Sequence, residues 1–270
     1  MKKHLAVLFC LLLVTHLTWA LPARTLTIAI ASNFESTFKE LKPLFEKQYH
    51  ITVNPAFGST GKLYTQIING APFDIFLSSD KEHVTLLEEK GFSRPDNSFI
   101  YANGELVLYA PGKNISENGL TPLLSLQIKH IAIANPVTAP YGLAAMQFLK
   151  RKNLLPVLKD KMIMGENIGQ VATFLLTRNV DAGFIANSQL IDIIRQSRCH
   201  ISFKEIWRVP QSMYEPLTQY ATLIESSHSP EDARTFLIFL KSAAAKKIMI
   251  ENGYYLDHPT TYVPQLARGT

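Results

Sequence analysis

An α/β protein of two lobes is the fold the sequence predicts, on three observations. Short β-branched runs alternate with amphipathic helical stretches from Leu26 to Gly91, the order that builds a parallel sheet with helices on its faces. A second block repeats the theme from Gly104 onward. The chain then changes character at KEIWRVPQ, and one more strand with two helices follows, which returns the terminal segment to the first lobe. The expected division is residues 21–103 and 207–270 for the first lobe and 104–206 for the second, behind a signal peptide over 1–20.

The N-terminus sets the compartment. MKKHLAVLFCLLLVTHLTWA has Lys2 and Lys3, an apolar core from about Leu5 to Val14, and the small residues Thr18 and Ala20 where a signal peptidase reads. The apolar core is short for a membrane span, which needs about 20 apolar residues. An exported chain, cleaved near Ala20 and working in the periplasm, is expected, and Cys10 leaves with the signal. Only Cys199 remains, so no intramolecular disulfide forms. Stability must come from a core, which about 250 residues can build. Losing Lys2 and Lys3 takes the formal charge from +5 to +3, too mild to argue for nucleic acid.

The elements follow in order. LTIAIA (Leu26–Ala31) alternates and is a strand. Phe34 to about Gln48 is helical, with Phe38, Leu41, Leu44 and Phe45 on one face. ITVNPAF is a second strand, Lys62–Asn69 a helix and FDIFLS a third strand; His83–Lys90 is helical and stops at Gly91. In the second block GELVLYAPG, IKHIAIAN, KMIMG and VDAGFIA are strands, with helices over Tyr141–Lys150 and Gly169–Thr177. QYATLIES is the last strand, and Pro230–Lys241 and Ala243–Asn252 are the closing helices.

In open α/β sheets ligands bind beyond the carboxyl ends of the strands. Four turns lie there, each at a helix start. Ser32-Asn33-Phe34-Glu35 reads as a capping box. Gly58-Ser59-Thr60-Gly61 follows the second strand, with glycines that let backbone approach a ligand. Pro136 to Gly142 follows IKHIAIAN, and Glu166 to Gln170 follows KMIMG, with Asn167 as N-cap. Each turn alone is accounted for by capping. Together, with unpaired N–H groups and about half a positive charge per helix start, they can hold a dianion without any Lys or Arg. Lys62 is then a solvated bystander.

Enzyme chemistry finds less support. GSTGK lacks the length of a G-x-x-x-x-G-K-[ST] phosphate loop, and Ser59 is not in G-x-S-x-G. His50, His83, His130, His200, His228 and His258 are scattered without zinc-ligand spacing. Glu35 and Glu166 flank the turns and would be the acid/base pair of a cleft enzyme, but capping or surface roles explain them. Asp80 is expected to cap the helix after it. Tyr141, between Pro140 and Gly142, is open to a packing or a binding role.

The segments IAIASNF, FGSTGKLYTQIINGAPFDIFLSSD, ANPVTAPYG, GENIGQ, VDAGFI and FLIFLKS…IMIENGY together resemble the molybdate-binding subunits of ABC importers, type II periplasmic solute-binding proteins. The resemblance covers nearly the whole exported chain. It implies two α/β lobes joined by two crossovers, with molybdate or tungstate caged between them by hydroxyls and backbone N–H groups. Position by position, it implies contacts from Ser32, Asn33, Ser59, Tyr141 (where many members have alanine) and the Ile168 N–H. Many members carry a tyrosine at the end of the last strand of the second lobe, where this chain has Ala186; the phenol of Tyr141 is expected to stand in for it. The same resemblance implies no cofactor and no catalysis. Its partners are the oxyanion and an inner-membrane ABC permease, and a monomer is expected. A donor-only site suits fully ionised tetrahedral dianions and disfavours phosphate, which keeps a proton. Sulfate binding, a cleft enzyme, and a sensor that signals to a receptor are the competing readings.

Overall fold

Strand-forming runs and amphipathic helices build two five-stranded mixed sheets in a computed structural model describing residues 24–115, 120–196 and 201–256. The signal peptide with Cys10, and Cys199, His200 and His258, lie outside the described residues. The first sheet has the order β2 (Thr52–Gly58), β1 (Thr25–Ala31), β3 (Ile75–Ser78), β10 (Thr218–Leu223), β4 (Ser98–Asn103). β1 to β3 are parallel, and β10 runs antiparallel between β3 and β4. The second sheet has the order β7 (Met162–Gly165), β6 (Ile131–Ala134), β8 (Ala182–Ala186), β5 (Leu106–Tyr109), β9 (Ile206–Arg208).

Helices cover both sheets. In the first lobe these are α1 (Glu35–Tyr49), α2 (Thr60–Ile68) and α3 (Glu82–Glu89). The second has α4 (Thr121–Leu124), α5 (Pro140–Arg151), α6 (Leu155–Leu158), α7 (Ile168–Leu176) and α8 (Asn187–Gln196). The last two, α9 (Pro230–Leu240) and α10 (Ala243–Glu251), return to the first sheet. Phe236 of α9 packs on Phe38 and Phe45 of α1, with ring centroids 6.1 and 5.0 Å away. Burying each such ring contributes about 1.5–3 kcal/mol, so the distant end of the chain helps hold the first core. A separate core fills the second lobe, where Phe148 of α5 meets Phe184 of β8 and Trp207 of β9.

Three expectations change. The run KEIWRVPQ holds β9, which pairs with β5 through Leu108 and Trp207. Trp207 and Arg208, placed in the first lobe from sequence, therefore pair in the second sheet, and the chain crosses back between Arg208 and Thr218. Leu44 is 43% exposed although Phe38, Leu41 and Phe45 are fully buried, so it sits at the margin of the apolar stripe. The S-x-x-E capping box does not form. Ser32–Phe34 is a 3-10 turn without a side-chain cap, because the Ser32 hydroxyl donates instead to the Gly58 carbonyl at 2.8 Å.

Register places the function. The parallel pair β1/β2 ends on Ala31 opposite Gly58, so the turns carrying Ser32 and Ser59 stand side by side. The parallel pair β6/β7 ends on Ala134 opposite Gly165, which does the same for the turns carrying Tyr141 and Ile168. The two crossovers are tied where the Gly104 N–H donates to the Leu217 carbonyl at 2.8 Å.

Candidate functional site

The four turns converge on one small cavity between the lobes. Ser32 and Asn33 line it from the first turn, and Gly58 to Thr60 from the second. Ala139 to Tyr141 and Asn167 with Ile168 complete it from the second lobe. Among the described residues none of its lining side chains is charged. The cavity measures about 10 Å³, about the room of a single water and too little for a nucleotide or sugar. A larger open groove of about 480 Å³ lies beside it, between Asp80–His83, Pro136–Ala144 and Glu215–Thr218. The small cavity is the better site, because the helix starts and unsatisfied donors gather there.

Two hydroxyls carry the signal. Ser59 is the N-cap of α2 yet makes no side-chain capping bond, and its buried Oγ has no hydrogen-bond partner. Tyr141, in the first turn of α5, is 1% exposed, and its phenolic oxygen also lacks a partner. Burial pushes the Tyr141 pKa well above the usual phenol range, so it remains a neutral donor at physiological pH. A buried donor without a partner costs about 1–3 kcal/mol. Both residues line one neutral cavity at helix N-termini, an arrangement that fits an anion able to accept from both hydroxyls.

The other turn residues are arranged around these. Asn167 caps α7, accepting from the Gln170 N–H at 3.1 Å, as its place in the sequence predicts. This leaves Ile168, the first residue of α7 and 4% exposed, at the cavity wall with its N–H in the unpaired first turn. Asn33 is placed at the cavity, but its amide is engaged elsewhere. Nδ2 donates to Gln219 Oε1 at 2.8 Å and to the Tyr254 hydroxyl at 3.0 Å. The Asn33 carbonyl accepts from Ser188 Oγ and from the Tyr254 hydroxyl, each at 2.8 Å. The amide side chain thus fixes the turn, which offers an anion its main-chain N–H groups.

Two further expectations need correction. The Gly61 N–H, one of the donors expected for the ligand, donates across the cleft to the Thr138 carbonyl at 2.9 Å. Lys62 is not a bystander, because Nζ pairs with Glu166 of the opposite lobe at 2.7 Å. Both partners are about half exposed, so the pair contributes little energy. Glu35 pairs with Lys39 at 2.8 Å. Neither carboxylate lines the cavity. Thr60 and Ser79 do, and the sequence reading passed over them; their hydroxyls bond each other at 2.9 Å. Ser79 follows β3 at the carboxyl edge, a position that the same strand-end rule flags.

Asp80, expected to cap α3, stands one residue before the N-cap Lys81 and still holds the helix start, accepting from the His83 N–H at 3.0 Å and from His83 Nδ1 at 2.8 Å. Burial disfavours the imidazolium, but this hydrogen bond and the charges of Asp80 and Glu82 outweigh it and raise the His83 pKa above its usual value. Among the described residues no group of His, Cys, Asp and Glu is arranged to hold a metal ion.

Comparison with known proteins agrees with this architecture. A molybdate-binding protein ModA of Rhodobacter capsulatus is 36% identical over 241 residues, covering 88% of this chain and 92% of the relative. One from Azotobacter vinelandii is 34% identical, covering 89% and 94%. The solved Azotobacter vinelandii periplasmic molybdate-binding protein superposes with a TM-score of 0.79 at 34% identity, over 86% of this chain and all of that one. The family model for bacterial extracellular solute-binding proteins matches residues 26–255. With two mixed sheets, two crossovers and an interlobe cavity walled by helix starts, the chain belongs to the bacterial extracellular solute-binding protein family.

Proposed function

We propose that this protein captures molybdate or tungstate between its lobes and hands the ion to an inner-membrane ABC permease. The observation that carries the reading is the pair of buried, unpartnered hydroxyls of Ser59 and Tyr141 on a cavity without charged walls. Such a cavity binds a fully ionised tetrahedral dianion through donors alone. It gives no carboxylate to accept the proton that phosphate retains. The identity to molybdate-binding relatives supports the choice among dianions. Ser32, Ser59, Tyr141 and the main-chain N–H groups of Asn33 and Ile168 are the contacts. In this reading Ser32 turns its hydroxyl from the Gly58 carbonyl to the ligand. The ion is bound and released unchanged, since Glu35 and Glu166 are paired at the rim with Lys39 and Lys62. The protein works as a periplasmic monomer, and lobe closure is the state its permease reads.

Thermal-shift measurements on the exported chain against molybdate, tungstate, sulfate, phosphate and chromate test this. A ligand that binds only the folded state stabilises it by RT ln(1 + [L]/Kd), about 4 kcal/mol at a thousandfold excess over Kd. Large shifts with molybdate and tungstate, and none with phosphate, are expected. A shift with sulfate alone would reassign the cargo, and no shift with any oxyanion would overturn the reading.

A further inference from the structure

Gly61 is expected from the sequence to bring backbone close to a ligand. The structure gives it a different neighbour. It lies in the first turn of α2 in the first lobe, and its N–H donates to Thr138 O in the second. A Cβ added at Gly61 would stand 3.1 Å from the Thr138 Cα, 3.2 Å from His83 Nε2 and 3.3 Å from the Thr138 carbonyl oxygen. These distances are tighter than ordinary van der Waals contact, so some neighbour must give way by a few tenths of an ångström.

Which neighbour gives way decides the consequence. The His83 ring is pinned by its hydrogen bond to Asp80 and by edge-to-face packing on Tyr64 at 5.3 Å. Thr138 presents backbone rather than a side chain that rotates. The Thr138 N–H and the Ala139 N–H both donate to the Asn135 carbonyl, at 3.2 and 2.8 Å, which fixes that turn. The softest coordinate left is the separation of the two lobes. Gly61 is helical and does not occupy the left-handed region, so alanine fits its own backbone and has the higher helix propensity.

We infer that Gly61 is a positioning residue that sets how far the lobes close on the anion, acting through the seam with Thr138 and without touching the ligand. The inference rests on the oxyanion-binding reading above. A methyl group at position 61 holds the seam apart, removes the interlobe hydrogen bond and leaves the donors of the two lobes unable to reach one small ion together.

The test compares wild type, Gly61→Ala and Ser59→Ala, each carrying Cys199→Ser and spin labels at Gln66→Cys and Leu176→Cys, exposed positions on opposite lobes. Calorimetry gives molybdate affinity, pulsed dipolar spectroscopy the open and closed populations, and thermal melting the ligand-free stability. Gly61→Ala is expected to bind about tenfold more weakly, in line with loss of one interlobe hydrogen bond. It should retain an open fraction at saturating molybdate, and its ligand-free Tm should be unchanged or higher. Ser59→Ala, which loses a ligand contact, should also bind weakly but close fully once saturated. Wild-type affinity and closure in Gly61→Ala would overturn the inference, and so would a lowered ligand-free Tm, which would make the glycine a requirement of the fold. If the wild type ignores molybdate and tungstate, the ligand reading fails by itself. Gly61 is then judged on ligand-free protein, where an equal closed fraction in wild type and Gly61→Ala overturns the inference and a smaller one in the variant upholds it.

Discussion

Ser59 and Tyr141 are the residues where binding and stability pull in opposite directions. Each buries a hydroxyl that no protein group pairs with. Removing either hydroxyl should therefore leave ligand-free stability unchanged or raise it slightly, while oxyanion affinity falls. For Ser59→Ala and Tyr141→Phe the loss should be about 1.5–3 kcal/mol, the usual worth of a hydrogen bond to a charged group, or roughly ten- to a hundredfold in Kd. Calorimetry and thermal melts on the same samples check this, and a lowered Tm with intact affinity would assign both hydroxyls to packing. The place of Ser59 on the cavity wall was legible in sequence because Gly58-Ser59-Thr60-Gly61 follows a strand end at a helix start. The commitment of the Asn33 amide was not, since its partners Gln219 and Tyr254 lie 186 and 221 residues away. The local S-x-x-E pattern misled for the same reason. The Gly58 carbonyl, 26 residues on, takes the Ser32 hydroxyl that a cap would have used.

At the level of elements, strand ends and helix starts were legible because turn chemistry is local. β1, β2, β6 and β7 all end where hydroxyl, amide and glycine residues cluster. β9 has three residues, too few for alternation to show, and it becomes a strand only by pairing with β5. The start of α3 carries a prediction of its own. The His83 pKa is raised in the folded protein, so the Asp80–His83 pair stabilises fully below the unfolded value and loses that contribution as pH rises through the folded value. The Tm advantage of wild type over His83→Gln should be largest near about pH 5.5 and shrink toward about pH 9, around the usual histidine pKa. An advantage that grows with pH would reverse the sign and reject the pairing.

At the level of the whole molecule, two lobes are built from a chain that leaves the first and comes back. The return is tested at Phe236, which is fully buried against α1. Phe236→Ala should cost about 3–5 kcal/mol in urea unfolding, the usual range for deleting a core phenylalanine. A cost below about 1 kcal/mol would mean that α9 is only an appendage, since deletions in a packed core are felt more strongly. The topology has a further consequence. β1 stands in the first sheet, and Tyr255, near the last described residue, bridges Asn103 at the end of β4 in the same sheet. The second sheet is thus an insertion, entered and left through strands that meet at Gly104 and Leu217. If the lobes close as proposed, anchoring the protein next to Thr25 and Tyr255 would hold the first lobe and leave the second to swing like a door on adjacent pins. A fluorescent sensor made by fusing reporters to those ends would be nearly blind to the swing. One reporter has to be grafted into the inserted lobe, at an exposed site on α7 such as Leu176.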